Sequence, residues 1–211
     1  MLIIYILKQS RKIALALVIA AALIGAAVFI LKRHCPASGF GFTSAQREMH
    51  RLKNRTAIPQ PAEFDTVVTL SQLLQPGDDR QRWSQTRAAR VEGYVVSVAN
   101  GPLELTNCSL PCSRDIHVHV GLHPDAPPRE QVVLEVTPRV AEWARQQGWD
   151  WSEENLKREL LGHWCLFEGW LFYDTDHAKE SENTAPGREG NWRGTAWEIH
   201  PITNFAITRV K

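Results

Sequence analysis

Imidazole and carboxylate side chains recur at alternate positions in two short segments that are typical of β-strands. In DIHVHV these are Asp115, His117 and His119. In TAWEIH they are Glu198 and His200. Side chains two residues apart share one face of a strand, so each segment presents its titratable groups together. Such groups suit transition-metal binding or acid–base chemistry, and we take these five residues as the catalytic candidates.

Two interpretations of this polar face compete. In the first, His117, His119 and His200 hold a divalent metal ion, and a metal-bound water hydrolyses a phosphodiester in the manner of a nuclease. In the second, the face is the solvated outer side of a small sheet, where alternating polar residues are ordinary. The second is favoured, because H-x-H is unspecific and the chain has no HExxH, paired CxxC, P-loop or nucleophile elbow. A binding module is expected ahead of an enzyme, and no cofactor is firmly implied.

Other polar side chains lie near the same segments. The ligand-binding candidates among them are Glu135, Arg139, Asp174, Asp176, His177 and Arg193. The two arginines suit the oxygens of a phosphate group. The carboxylates in YDTDH stand at the start of a long polar loop that is able to reach the face.

Aromatic residues are frequent in the same part of the chain, and all eight tryptophans lie between Trp83 and Trp197. Those near the last two predicted strands are Trp164, Trp170, Phe172, Tyr173, Trp192 and Trp197. They indicate either a platform on which bases or sugars stack, or the filling of a core. Core filling is favoured. The formal net charge of +1 provides no basic groove, so nucleic acid is a disfavoured partner.

The elements that position these residues are mainly β. Strands are predicted over 90–98, 115–120, 131–137, 163–173 and 195–200, with a continuation over 202–210. Helices are predicted over 140–147 and 152–161, between the third and fourth strands. Gly93 and Gly169 predict bends in the first and fourth strands. The longest connections, 99–114 and 174–194, are of a length that is usually functional.

This order of elements resembles the OB-fold, a five-stranded Greek-key barrel. The resemblance covers about 90–210 and depends on the element order and on the glycines of the first and fourth strands. It implies ligand binding across the second and third strands and against the two long loops. The segments NCSLPC, DIHVH, EVTPR, GWLFYD and WRGTAWEIHP also resemble a set of uncharacterised bacterial membrane-anchored proteins, and that resemblance implies no activity.

An unbroken apolar run precedes the β-rich region. Residues 13–31 carry no charge and, at about 1.5 Å per residue, form a helix that nearly matches the bilayer core of roughly 30 Å. A cleaved signal peptide has a shorter apolar core, and a buried helix of a soluble protein rarely has charges at both ends. We expect a single-pass anchor, with 1–12 as a short basic tail, 32–63 as a tether containing a solvated or membrane-surface helix, and 64–211 as the globular domain.

Basic residues on the two sides of the run are nearly balanced, so they define its orientation weakly. The flanking residues are Lys8, Arg11, Lys12, Lys32 and Arg33. A short basic tail before an apolar run is the usual layout that exports the following domain, whereas the basic cluster over 47–55 favours the opposite. We expect an extracytoplasmic domain on the cell membrane. Its expected partners are the lipid bilayer and a protein of the envelope.

The cysteines allow several states. Cys108 and Cys112 lie four apart in NCSLPC, and in an oxidising compartment they would form a small disulfide loop. In a reducing compartment they would be free or metal-bound. Cys165 is expected to be a small buried residue, and Cys35, next to the membrane, is a candidate for acylation or cross-linking.

Overall fold

The computed structural model of the chain describes residues 2–209, without the side chains of 2–11 and 31–34. Helix α1 (Leu2–His34) includes the segment Lys12–Ile30, which has a mean hydropathy of 2.9 and no buried part. This length and composition suffice to cross a membrane, and a signal sequence meets the same criterion. The prediction of one long apolar N-terminal helix is confirmed. The predicted orientation depends on the side chains of Lys8, Arg11, Lys32 and Arg33. These four side chains lie outside the part of the chain that the structure describes.

Five strands form one mixed sheet, in agreement with the mainly β prediction. They are β1 (Ala88–Asn100), β2 (Ile116–Gly121), β3 (Gln131–Val136), β4 (Trp164–Tyr173) and β5 (Trp197–Arg209). The strand order is β1-β2-β3-β5-β4, and all neighbours are antiparallel except β3 and β5. Because β4 also pairs with β1, the sheet closes on itself as a barrel.

A short helix, α3 (Leu70–Leu73), precedes β1, and helices α4 (Pro138–Gln146) and α5 (Glu153–Leu160) connect β3 to β4. Ser152 caps α5, because its hydroxyl accepts a hydrogen bond from the Asn155 backbone N–H. Leu156 and Leu160 pack into the core. Leu161 follows the last helical turn and is exposed.

The barrel interior is apolar and follows the period of two along the strands. Val118 of β2, Leu134 of β3 and Ile199 of β5 belong to the buried core, and Leu134 and Ile199 are direct partners across the parallel pair. Their neighbours in sequence therefore point away from this core. This alternation places the polar residues of the three strands together on the outer side of the barrel.

Strand β5 is continuous through Pro201, where the sequence had predicted a break. It pairs with β4 on both sides of this proline, and the register shifts beside Gly169. A Cβ atom at Gly169 would lie 2.3 Å from the Pro201 carbonyl oxygen. A glycine is therefore needed for the close approach of the two strands, at the bend that the sequence predicted.

The segment after α1 is not a solvated tether. Helix α2 (Ser44–Lys53) begins after the N-cap Thr43, one residue before the expected cap, and its last turn buries His50 and Lys53. Asn54 donates a hydrogen bond to the Thr106 carbonyl oxygen at 3.0 Å, and Arg55 donates to that of Leu171 at 3.0 Å. The helix lacks an apolar stripe because the surface that it covers is polar.

Candidate functional site

Four of the predicted polar residues lie on the outer side of β2, β3 and β5. Asp115 directly precedes β2, Glu135 lies in β3, and Glu198 and His200 lie two residues apart in β5. His117 of β2 is the direct cross-strand partner of Glu135. Strand pairing thus brings residues from distant parts of the sequence into one group.

This outer face is buried, which corrects the expectation that it is solvated. Asp115 and Glu135 are 1% and 2% exposed, and Glu198 and His200 are 0% exposed. The side chains that lie against it come from three other segments: Lys53 from α2, Glu104 and Asn107 from the β1–β2 connection, and Asp174 and Arg193 from the β4–β5 connection. Together with the four strand residues they form a second, polar interior, which we call the polar cluster.

Three members of the polar cluster have the arrangement of metal ligands. Asp115, Glu135 and His200 each offer one ligand atom, and these atoms lie within 4.8 Å of one another. We call these residues the ligand triad. Two ligands on one zinc ion are at most about 4.2 Å apart, so a small contraction of the triad would accompany binding.

Each residue of the ligand triad has a buried polar atom without a hydrogen-bond partner among the described residues. These atoms are Asp115 Oδ1, Glu135 Oε2 and His200 Nε2, although Glu135 Oε2 also lies 3.2 Å from His200 Nδ1. A buried polar atom without a partner costs about 1–3 kcal/mol. The ligand triad holds three such atoms, and Arg193 Nε and Nη1 are two more in the polar cluster, so the cluster has polar groups that a bound ion or water would pair.

Neighbouring side chains orient the ligand triad. Glu198 Oε2 lies 3.0 Å from His200 Nδ1, and Asn107 Nδ2 donates to Asp115 Oδ2 at 2.9 Å. The contact with the carboxylate favours the proton on Nδ1, which leaves the lone pair of His200 on Nε2. Hydrogen bonds of this kind hold metal-binding histidines and carboxylates in position in metalloproteins.

Arg193 is an internal partner of carboxylates, whereas the sequence had suggested a phosphate ligand. It is fully buried, its Nη2 donates to Glu198 Oε1 at 2.5 Å, and its Nη1 lies 3.7 Å from Asp174 Oδ2. Arg139 is also engaged elsewhere, since its Nη2 donates to the Cys35 carbonyl oxygen at 2.7 Å. Neither arginine contacts the ligand triad through a hydrogen bond or an ion pair in the described part of the chain.

Lys53 is a cluster residue that the sequence did not indicate. Its Nζ lies 3.0 Å from Glu104 Oε2 and 3.9 Å from Asp174 Oδ2, and its side chain is almost completely buried. Burial acts to lower the pKa of Lys53, but the carboxylates of Glu135 and its neighbours hold it above the usual value. The sequence contains one indication of this role: the helix that carries Lys53 is polar and has no apolar face with which to pack.

Negative charge is in excess in the polar cluster, where five carboxyl groups meet two permanent cations, Lys53 and Arg193. Burial raises the pKa of Asp115 to about 6. Burial and the charge of Glu198 raise the pKa of Glu135 well above its usual value. A bound cation would replace the protons that these groups otherwise retain.

Glu198 differs from the other acids of the cluster. Burial acts to raise its pKa, but the charge of Arg193 and the hydrogen bond with His200 lower the pKa below the usual range. Glu198 is therefore ionised at neutral pH. Its negative charge can hold a proton on His200 Nδ1 without itself becoming protonated.

His117 lies at the edge of the polar cluster. Its Nε2 is 3.3 Å from Glu135 Oε1, and burial lowers its pKa to about 4, so the ring is neutral at pH 7. A Cβ atom at Gly101 would lie 2.4 Å from His117 Nε2. The glycine in the β1–β2 connection therefore leaves the space that this ring occupies.

His119 and His177 lie outside the cluster, in a row of rings that begins at His117. The ring centroids of His117 and His119 are 6.3 Å apart, those of His119 and Trp192 are 6.0 Å apart, and those of Trp192 and His177 are 5.2 Å apart. All four side chains are half-buried. Asp176 is exposed, and its side chain does not contact the ligand triad in the described part of the chain.

The predicted disulfide partner of Cys108 is wrong. Cys108 pairs with Cys35, 73 residues earlier, while Cys112 is free and exposed. Proximity in the sequence had favoured Cys112, but the folded segment between α1 and α2 brings Cys35 to the β1–β2 connection. Cys165 is buried and free, as expected.

The aromatic residues mainly fill buried space. Trp170, Phe172, Tyr173 and Trp197 are buried, while Trp164 and Trp192 are half-buried. The Trp170 indole N–H donates to the Ala57 carbonyl oxygen at 2.7 Å. Strand β4 therefore does not present the open stacking platform that a single-stranded nucleic acid requires.

Comparisons with protein-family models, with curated proteins and with solved structures find no match for this chain. The interpretation of the site therefore depends on its geometry.

Proposed function

We propose that this protein is a single-pass membrane protein whose OB-like domain binds a divalent transition-metal ion at Asp115, Glu135 and His200. The observation that carries the proposal is the set of three fully buried ligand residues, each with a polar atom that lacks a hydrogen-bond partner in the described structure. The function is that of a binding module of the cell envelope, in which the metal completes the polar interior.

The OB-like description is supported by topology. The closed order β1-β2-β3-β5-β4, the parallel contact of β3 with β5 and the helices between β3 and β4 agree with a five-stranded Greek-key barrel. The ligand triad is formed by the residue before β2, by β3 and by β5, and the β1–β2 and β4–β5 connections cover it. This is the side on which barrels of this kind bind ligands.

The chemistry of the ligand triad favours zinc, manganese or iron over calcium or magnesium. One imidazole and two carboxylates form a mixed nitrogen and oxygen donor set, whereas calcium and magnesium prefer oxygen ligands alone. The excess of carboxylates compensates the charge of a divalent ion. The hydrogen bonds from Asn107 and with Glu198 supply the outer support that such sites use.

Hydrolysis of a phosphodiester is a weaker candidate for this site. The three residues of the ligand triad are each 0–2% exposed, so a large substrate has no direct access to a bound ion. Arg193 is paired with Glu198, so it is not available for a phosphate oxygen. We therefore propose binding without catalysis.

An extracytoplasmic position is supported by the disulfide between Cys35 and Cys108. Disulfides persist in oxidising compartments and are rare in the cytosol. Cys35 directly follows α1, so the cross-link lies next to the apolar helix. In this orientation α1 is the membrane anchor and everything after it is outside the cytoplasm.

The proposal is tested by metal analysis of the full chain in detergent micelles. After treatment with a chelator and incubation with Zn²⁺, Mn²⁺ or Fe²⁺, we expect one ion per chain for the wild-type protein. His200→Ala should lose it, whereas His123→Ala, at an exposed histidine that is not part of the cluster, should retain it. Substoichiometric metal in the wild-type protein, or full retention by a folded His200→Ala variant, would overturn the proposal.

A further inference from the structure

The disulfide fixes one surface of the domain close to the membrane. Cys35 lies five residues after Ile30, the last residue of the apolar segment. Helix α1 continues to His34, so at about 1.5 Å per residue Cys35 is only about 7–8 Å beyond that segment. The headgroup layer of one leaflet is about 5–8 Å thick, which places Cys35 at its outer limit.

Two contacts attach the domain to this point. Cys35 is bonded to Cys108 of the β1–β2 connection, and its carbonyl oxygen accepts a hydrogen bond from Arg139 in the first turn of α4. The β1–β2 connection and α4 therefore face the bilayer at short range. This follows from the contacts of Cys35 and does not depend on the tilt of α1.

Large apolar side chains are exposed on both sides of this attachment. Beside Cys108 these are Phe40, Phe42, Leu103 and Leu105, which are 42%, 77%, 52% and 39% exposed. The backbone N–H of Phe40 donates to the Leu105 carbonyl oxygen at 2.9 Å, so the two segments lie side by side. A contiguous group of exposed apolar residues is characteristic of an interaction surface.

The second group follows α4. Trp149 is 48% exposed, and its ring contacts those of Trp143 and Trp151 at centroid distances of 5.5 and 6.1 Å. Tryptophan is enriched at the level of lipid headgroups, because its ring is apolar and its N–H remains able to hydrogen-bond. The group of Trp143, Trp149 and Trp151 therefore has the composition that is typical of a membrane interface.

A cavity of about 960 Å³ lies between this tryptophan group and α1. Phe29 of the apolar segment lines it together with Trp149 and Trp151. Both signs of charge are present in the lining, with Arg114 and Arg145 on one hand and Glu142 and Asp150 on the other. A mixed lining matches the phosphate and amine of a zwitterionic phospholipid better than an anionic headgroup.

We propose that the surface formed by Phe40, Phe42, Leu103, Leu105 and Trp149, the juxtamembrane surface, docks on the phospholipid bilayer that holds α1. The domain then lies on the membrane with its anchor and does not extend away from it on a flexible linker. This inference rests on the membrane anchoring proposed above and is independent of the metal.

The test uses the full chain in phosphatidylcholine vesicles that contain lipids brominated near the headgroup, which quench nearby tryptophan. The apolar segment contains no tryptophan, so all quenching reports on the domain. We expect quenching in the wild-type protein that is largely lost in Trp149→Phe. Trp192→Phe, at a half-buried tryptophan beside His119, should leave it unchanged.

Two further variants retain Trp149, whose quenching is measured. Phe42→Glu combined with Leu103→Glu should reduce the quenching of Trp149, because burial of the two charges in the interface is unfavourable. Leu122→Glu is the matched control, since Leu122 is 45% exposed and follows β2 at the end remote from Ile116, which lines the cavity. Equal quenching in all variants would overturn the docking.

Flotation of the same vesicles separates the two proposals. If the chain floats with the vesicles but Trp149 is not quenched, anchoring holds and the docking is wrong. If the chain does not float, the anchoring itself is wrong, and the docking fails with it.

Discussion

Glu198 Oε2 lies 3.0 Å from His200 Nδ1, two residues along the same face of β5. Both side chains are fully buried, and His200 Nε2 has no hydrogen-bond partner among the described residues. Glu135 Oε2 lies 3.2 Å from the same Nδ1, so both carboxylates favour a proton on Nδ1 and a lone pair on Nε2. This relationship links the negative charge of Glu198 to the metal affinity that we propose for His200.

Replacement of Glu198 by Gln should weaken metal binding about 10–100-fold, because a neutral amide holds the Nδ1 proton less firmly. Competition with a chromophoric chelator measures this at a temperature at which the variant is folded. Glu168→Gln is the control, since Glu168 of β4 pairs with the exposed Arg90 of β1. Equal affinity of wild type and Glu198→Gln would show that the carboxylate has no part in binding.

Asp115 should make the stability of the metal-free protein pH-dependent. Burial raises its pKa from 3.8 to about 6, so the folded state binds this proton more tightly than the unfolded state does. The stabilisation is fully present below about pH 4 and is lost as the pH rises to about 6, with a slope of roughly 1 kcal/mol per pH unit at most.

Chemical denaturation across this range, in the presence of a chelator, measures the effect. The difference in unfolding free energy between wild type and Asp115→Asn should change with pH in this window and be flat above it. A difference that is independent of pH from 4 to 6 would contradict the assignment. Other buried acids titrate in both proteins and largely cancel in the comparison.

Lys53→Met should destabilise the fold by about 3–5 kcal/mol, because it removes one partner from buried ion pairs, leaves the charge of Glu104 uncompensated and leaves Asp174 with Arg193 alone. Thermal and denaturant unfolding measure the loss. Lys157→Met on the exposed side of α5 is the control and should change stability little. A Lys53→Met protein as stable as the control would mean that α2 is not packed on the polar cluster.

Cys35→Ser should lower the free energy of unfolding by about 2–4 kcal/mol, since it opens the loop closed between residues 35 and 108. Cys112→Ser should have little effect, because Cys112 is free and exposed. Unfolding of both variants with and without a reductant tests the pairing. If Cys112→Ser were the destabilised variant, the bond would instead join Cys108 and Cys112.

Much of the candidate site was accessible from local patterns. The period of two in DIHVHV and TAWEIH identified Asp115, Glu198 and His200, and the same reasoning placed Glu135 opposite the apolar face of β3. The face on which each of these side chains lies was predictable because side chains alternate along a strand whatever the rest of the chain does.

The burial of that face was not accessible in this way. A period of two distinguishes the two faces of a strand, but it does not indicate whether another segment covers the polar one. Here Lys53 and Arg193 come from parts of the chain far from β2 in sequence, and Asn107 comes from the polar connection that precedes β2. Polar helices and polar loops are usually solvated, so their composition predicted exposed segments and not segments that cover a buried face.

The sequence by itself determined the local features: the long apolar helix, the strands and their faces, and the identity of the polar residues on each face. Each of these depends on interactions within a short stretch of chain, which composition and spacing record directly. Only the tertiary structure decided that Cys108 bonds to Cys35, that Lys53 neutralises buried carboxylates, and that Asp115, Glu135 and His200 meet in a covered interior. Those relationships depend on how distant segments pack, and no local periodicity contains that information.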